Sequence, residues 1–70
     1  MLWIIKGEQS HAIISCNTHH NKNDETYQIW ITRPNGKNLM LDESKDFNRI
    51  VEIKEAIDFA VEHKETALRL

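Results

Sequence analysis

The spacing of apolar residues changes once along the chain, from alternation to a helical repeat. Leu2–Ile5 is a short apolar run, and Lys6-Gly7-Glu8-Gln9-Ser10 reads as a turn. His11–Thr18 predicts a second strand with Ala12, Ile14 and Cys16 on one face. His19–Glu25 is polar and aperiodic, which predicts a loop. Thr26–Arg33 alternates best: Tyr27, Ile29 and Ile31 face one way, Gln28, Trp30 and Thr32 the other. Pro34-Asn35-Gly36-Lys37 predicts a hairpin, because Asn and Gly both tolerate the positive φ of a type I′ turn. Asn38–Asp42 returns as the last strand, with Leu39 and Leu41 inward.

Glu43–Asn48 is a polar connector in which Ser44, Asp46 or Asn48 could cap a helix. From Arg49 the repeat is helical, and Ile50, Ile53, Ile57, Ala60, Val61 and Leu68 form one stripe. Glu52, Glu55, Asp58 and Glu62 lie away from it, and Glu65 and Arg69 stand in the favourable i,i+4 order. The expectation is an α+β fold of one domain, an antiparallel β-meander of three to four strands packed on one C-terminal helix. Its core would join the stripe to Ala12, Ile14, Ile29, Ile31, Leu39 and Leu41. The pattern leaves open whether the first strand pairs with the second or crosses to the other edge.

Seventy residues make one domain of modest stability, which association would help. The lone Cys16 has no internal disulfide partner, which suits a reducing compartment. Leu2–Ile5 is too short for a membrane span or a signal-peptide core, so a cytoplasmic protein without membrane contact is the expectation. The net charge of −2 is unevenly spread. Residues 1–41 carry Lys6, Lys22, Arg33 and Lys37 against Glu8, Asp24 and Glu25, a balance of +1 that leaves −3 for the rest. No basic stripe suited to a phosphate backbone is present, which disfavours nucleic acid as a partner.

Two features stand outside the expected core. The second sheet face would carry Ile13, Trp30, Met40 and one of Trp3 or Ile4, and a single helix cannot cover both faces. An apolar patch centred on an aromatic and a methionine reads as a partner or self-association surface, unless the N-terminal segment folds back over it or the sheet curls to hide Trp30. At about 100° per residue, Phe59 points opposite the helical stripe among Glu52, Glu55 and Glu62, which fits either a small epitope or an ordinary single exposed apolar residue.

Site chemistry is sparse. His11, Cys16, His19 and His20 are zinc-type ligands, but strand alternation sets His11 and His19 opposite Cys16, so no metal site is expected. A catalytic cysteine needs an activated thiolate, an orienting group and a concave pocket, and Cys16 is expected to face the core. Gly7 and Gly36 both read as turn residues, which leaves no phosphate-binding loop. The reading is a non-enzymatic protein with no cofactor and no small-molecule substrate.

Tyr27-Gln28-Ile29-Trp30-Ile31, running through Asn35-Gly36 to Leu39 and Glu43, resembles the ββα unit of a bacterial tandem-repeat family of unknown function. The stretch His11–His63 resembles small phage-encoded inhibitors of type II CRISPR nucleases, with a meander, an acidic connector at Asp42-Glu43-Ser44 and a following helix. That resemblance implies that Asp42, Glu43 and Asp46 occupy a protein site otherwise filled by DNA. The sheet-plus-helix pattern is also similar to the arm-type DNA-binding domain of phage integrases, which would assign phosphates to Lys22, Arg33 and Lys37.

Together these point to a small interaction protein, of phage or mobile-element type, that inhibits or regulates a protein partner. Its docking residues would be Trp30, Met40 and Ile13, with Glu43, Asp46 and Phe59 as rim or separate epitope. A sheet-based nucleic-acid binder with Trp30 stacking on bases, or a structural homodimer, is the alternative.

Overall fold

The computed structural model describes residues 1–70. It holds six strands and one helix: β1 Leu2–Lys6, β2 Gln9–Ile13, β3 Ser15–Asn21, β4 Thr26–Thr32, β5 Asn38–Ser44, α1 Phe47–Glu62 and β6 Ala67–Arg69. They form two three-stranded sheets, ordered β2-β1-β6 and β3-β4-β5. The α+β architecture and the meander of β3, β4 and β5 are as expected; the second sheet is not.

The two sheets share one bent strand. β2 and β3 are separated only by Ile14, whose backbone N–H donates to the Thr32 carbonyl at 2.9 Å. Before the bend Ile13 opposes Leu2, and after it Ser15 opposes Thr32. Ile13 points into the core at 4% exposure, Ile14 and Ser15 both point outward, and Cys16 packs on the core again. The inward phase therefore slips by one residue at the bend. This reverses three expectations: Ile14 is not a core residue, being 62% exposed, Ala12 lies opposite exposed Trp3 rather than in the core, and Ile13 is not on the open face. A one-residue slip of this kind exchanges every following side chain between faces.

Turns are built from local chemistry. β1 and β2 are joined through Gly7 (φ +62°) and Glu8, with the single positive φ at the first central position, as in a type II′ turn. The expected loop at His19–Glu25 shrinks to Lys22–Glu25, because β3 runs on through His19, His20 and Asn21. Asn21 holds that loop, donating to Asp24 Oδ2 at 3.2 Å and accepting the Asn23 N–H at 3.1 Å. The Asn-Gly hairpin forms, but not as type I′. Gly36 donates to the Arg33 carbonyl and Arg33 to the Lys37 carbonyl, both at 2.9 Å, and only Gly36 has positive φ. This is a type I turn closed by a glycine bulge, and Pro34 sits where its fixed φ favours that turn.

β5 carries a second irregularity. Trp30 opposes Met40 while Ile29 opposes Asp42, so Leu41 is an extra residue and a bulge lets Leu41 and Asp42 both lean to the helix side. β5 continues to Ser44, and Asp46 caps α1 by accepting the Asn48 N–H at 3.0 Å. The helix starts at Phe47 rather than Arg49.

It also stops at Glu62, short of the expected Leu68. Lys64 adopts φ +55°, its N–H donates to the Val61 carbonyl (3.1 Å) and the Glu65 N–H to the Ala60 carbonyl (2.9 Å). Those two bonds make a Schellman stop with lysine in the position that usually holds glycine. The chain then turns back as β6 and pairs parallel to β1, Ile4 opposite Leu68. Val61, expected on the buried stripe, is 55% exposed, and Leu68 reaches the core from a strand. The core is Leu2, Ile4, Ile13, Ile29, Ile31, Leu41, Ile50, Ile57 and Ala60, with no polar side chain buried in it.

Candidate functional site

α1 packs on the face of β3-β4-β5 that carries Ile29 and Ile31. The opposite face follows from the register. Ser15, Asn17, His19 and Asn21 of β3 stand opposite Thr32, Trp30, Gln28 and Thr26 of β4; Asn38, Met40 and Glu43 of β5 complete it. No helix or further strand of the chain packs over this face.

Its centre is ordered by side-chain hydrogen bonds. Trp30 Nε1 donates to Gln28 Oε1 at 2.9 Å, and Gln28 Nε2 donates to Glu43 Oε2 at 2.6 Å. Thr26 also donates to Glu43 Oε2, at 3.3 Å. The His19 ring stands edge-on to Trp30, centroids 6.4 Å apart. The indole N–H is thus satisfied within the chain, and the ring is fixed as a half-buried plate with Met40, 40% exposed, directly across from it. A shallow depression beside the plate is lined by His19, His20, Asn21, Gln28, Trp30 and Asn38. Apart from Glu43 the face carries no carboxylate and no lysine or arginine, so it is polar by amide, hydroxyl and imidazole.

The other expected site residues fare differently. Ile13 belongs to the core. Asp46 is on the surface but serves as helix cap. Phe59 is 56% exposed, opposite the buried stripe as expected, and its ring stacks on His63 with centroids 3.8 Å apart. Trp3 and Ile4 divide as alternation requires, Ile4 fully buried and Trp3 46% exposed on the other sheet.

The acidic connector is bound up with the fold. Asp42 accepts the Glu43 backbone N–H at 2.8 Å and Arg49 Nε at 3.0 Å, with Lys6 Nζ 3.8 Å away. Burial alone would raise the Asp42 carboxyl, but the Glu43 N–H, Arg49 and Lys6 outweigh it and hold the carboxyl below its usual range. A depressed carboxyl stabilises the fold above its unfolded pKa, about 3.9, and that contribution fades as pH falls through the folded value. Urea midpoints of the parent chain and Asp42→Asn should therefore differ at neutral pH and converge in acid; a gap that widens in acid would contradict the arrangement.

Cys16 is half-buried beneath α1. Its Sγ donates to Asp58 Oδ1 at 3.7 Å, and Lys54 Nζ bonds the same carboxylate at 2.7 and 2.8 Å. Burial, reinforced by Asp58 and opposed by Lys54, pushes the thiol up, the direction that suppresses nucleophilicity. Nowhere do three His, Cys, Asp or Glu side chains converge as metal ligands would.

Two features escaped the sequence pattern. One is a groove of about 590 Å³ at the strand bend, where exposed Met1, Ile14 and Val61 come together beside Leu2 and Ile13. Nothing in the local sequence joins Ile14 to Val61; the bend and the helix stop do. The other is an aromatic series at the far end of the sheet. His20 stacks on Tyr27 at 4.5 Å, and Tyr27 meets Phe47 at 4.9 Å.

Comparison with protein-family models, curated proteins and solved structures finds no match to this chain.

Proposed function

We propose that this chain is a non-enzymatic interaction module that docks a protein partner on the open face of β3-β4-β5, with Trp30 and Met40 as its anchor. One observation carries the reading: a tryptophan plate held in place by Gln28 and Glu43, with a methionine opposite, lies on a sheet face that no element covers. Tryptophan and methionine at the centre of a weakly charged polar rim match the composition of protein interfaces. The low charge favours protein over nucleic acid, because phosphates need lysine or arginine beside the stacking ring. Arg33, one of the few available cations, is half-buried with its Nε enclosed.

As a phage or mobile-element product, such a module would serve to inhibit or regulate the protein it docks on. The DNA-mimicking version of that idea is the weaker one, since Asp42 and Asp46 are engaged in the fold and Glu43 in ordering Trp30.

The test isolates proteins bound from the source cell's lysate and measures affinity for the purified partner. Trp30→Ala should weaken binding at least tenfold, as loss of a central aromatic anchor does, and Met40→Ser should weaken it less. Both variants must keep the parent circular-dichroism spectrum. If Ile14→Ser abolishes binding while Trp30→Ala leaves it intact, docking belongs to the groove at the bend and the assignment to the sheet face is wrong.

A further inference from the structure

We propose that β3 is a strand-pairing edge that takes a second copy of this chain, antiparallel about Thr18, merging two three-stranded sheets into one. The inference goes beyond the docking reading and does not depend on what the Trp30 face binds.

An exposed sheet edge offers unpaired N–H and C=O groups to any other strand, and proteins that stay monomeric block their edges with charge, proline, bulges or shortness. Two edges here are blocked, and a third is shorter than β3. β5 has the bulge at Leu41 and the carboxylates Asp42 and Glu43. β6 is three residues long and includes Arg69. β2 is five residues long and is cut off from β3 by the bend at Ile14. β3 has none of these devices. It is seven residues long, pairs with β4 without a register shift, and contains no Lys, Arg, Asp, Glu or Pro. Its other edge has no strand beside it, and Asn17, Thr18, His19 and His20 are all exposed.

The strand is also complementary to itself. In a two-fold pairing centred on Thr18, Thr18 meets its own copy, Asn17 meets His19, Cys16 meets His20 and Ser15 meets Asn21. Residues directly opposite in an antiparallel pair point to the same face. The outer-face set (Ser15, Asn17, His19, Asn21) and the helix-side set (Cys16, Thr18, His20) each map onto themselves in this register. Each opposed pair can hydrogen-bond side chain to side chain, and none sets two fixed like charges together. The symmetry closes at two copies, because each chain has one such edge.

Sedimentation velocity on the full chain over a wide concentration range tests this. The mass should rise from the 8.2 kDa of one chain towards twice that value. Thr18→Lys puts two like charges on the two-fold axis and should weaken dimerisation about fivefold, as should Thr18→Glu, given the usual cost of opposed like charges. An equimolar mixture of the two should dimerise more tightly than either alone, which a merely misfolded variant would not do. If lysine at 18 unfolds the chain, Asn17→Lys mixed with His19→Glu makes the same test. A parent chain that stays at one-chain mass throughout would overturn the proposal. So would a dimer unaffected by both Thr18 variants, or one dissolved by Trp30→Ala instead.

Discussion

Ile13→Ala is expected to cost about 2–5 kcal/mol of stability, while Ile14→Ala next to it stays within about 0.5 kcal/mol. Ile13 is 4% exposed and closes the core beside Leu2, so shortening it leaves a cavity that the rigid sheet cannot collapse to fill. Ile14 is 62% exposed at the rim of a groove, and its shortening removes little buried area. A chain of this length has a total stability of only about 3.5–10 kcal/mol, so Ile13→Ala removes a large share of it. Urea denaturation of the two variants measures both values. Similar losses, or a larger loss at Ile14, would mean that β2 and β3 form one strand of unbroken alternation without the bend.

That pair of isoleucines also marks where sequence pattern stops being informative. Thr26–Thr32 was readable because its alternation is uninterrupted and one face is buried: Ile29 and Ile31 are in the core, and Gln28 and Trp30 are on the other face. The alternation of Cys16 with its neighbours was also readable. That phase does not carry back through Ile14, because the bend is made by two strands pairing with different partners, Leu2 on one side and Thr32 on the other. A single sequence records the side chains on a strand but not the neighbours that recruit it. The helix stop was illegible for a related reason. Lysine is an ordinary helix residue, and nothing local at His63-Lys64 announces a left-handed backbone; the pairing of β6 with β1 supplies the drive.

The candidate site was legible in part. Alternation alone puts Trp30 and Met40 on the face away from the helix, and they lie there, opposed across β4 and β5. The bond from Trp30 to Gln28 and on to Glu43 was not foreseeable, since it links residues fifteen apart through a bulged register. This matters for binding. A ring already anchored gives up little side-chain freedom when a partner covers it, and lower ordering cost is one source of affinity. A fixed plate beside an unblocked strand edge gives this small chain a defined surface.

Removing Thr66–Leu70 is expected to cost about 3 kcal/mol or more, estimated from one half-buried leucine and several backbone hydrogen bonds. β6 has only three residues, but it is the outer neighbour of β1. Its loss releases the Trp3 N–H from the Thr66 carbonyl (2.9 Å) and frees the Ile5 carbonyl from the Leu70 N–H (2.8 Å). It also strips Leu68 from above Ile4, which is fully buried in the intact chain. β1 would then be held by β2 alone, and an isolated two-stranded ribbon is marginal in water. Amide exchange in Leu2–Lys6 should accelerate along with the drop in thermal midpoint, while β4 keeps its protection relative to β1. The point variant Leu68→Asp keeps the backbone pairing possible and should cost less than the truncation, about 1.5–3 kcal/mol. Were residues 63–70 instead a continuation of the helix, truncation would merely fray an exposed end. The β1 amides would then exchange as slowly as before, the outcome that would remove β6 from the fold.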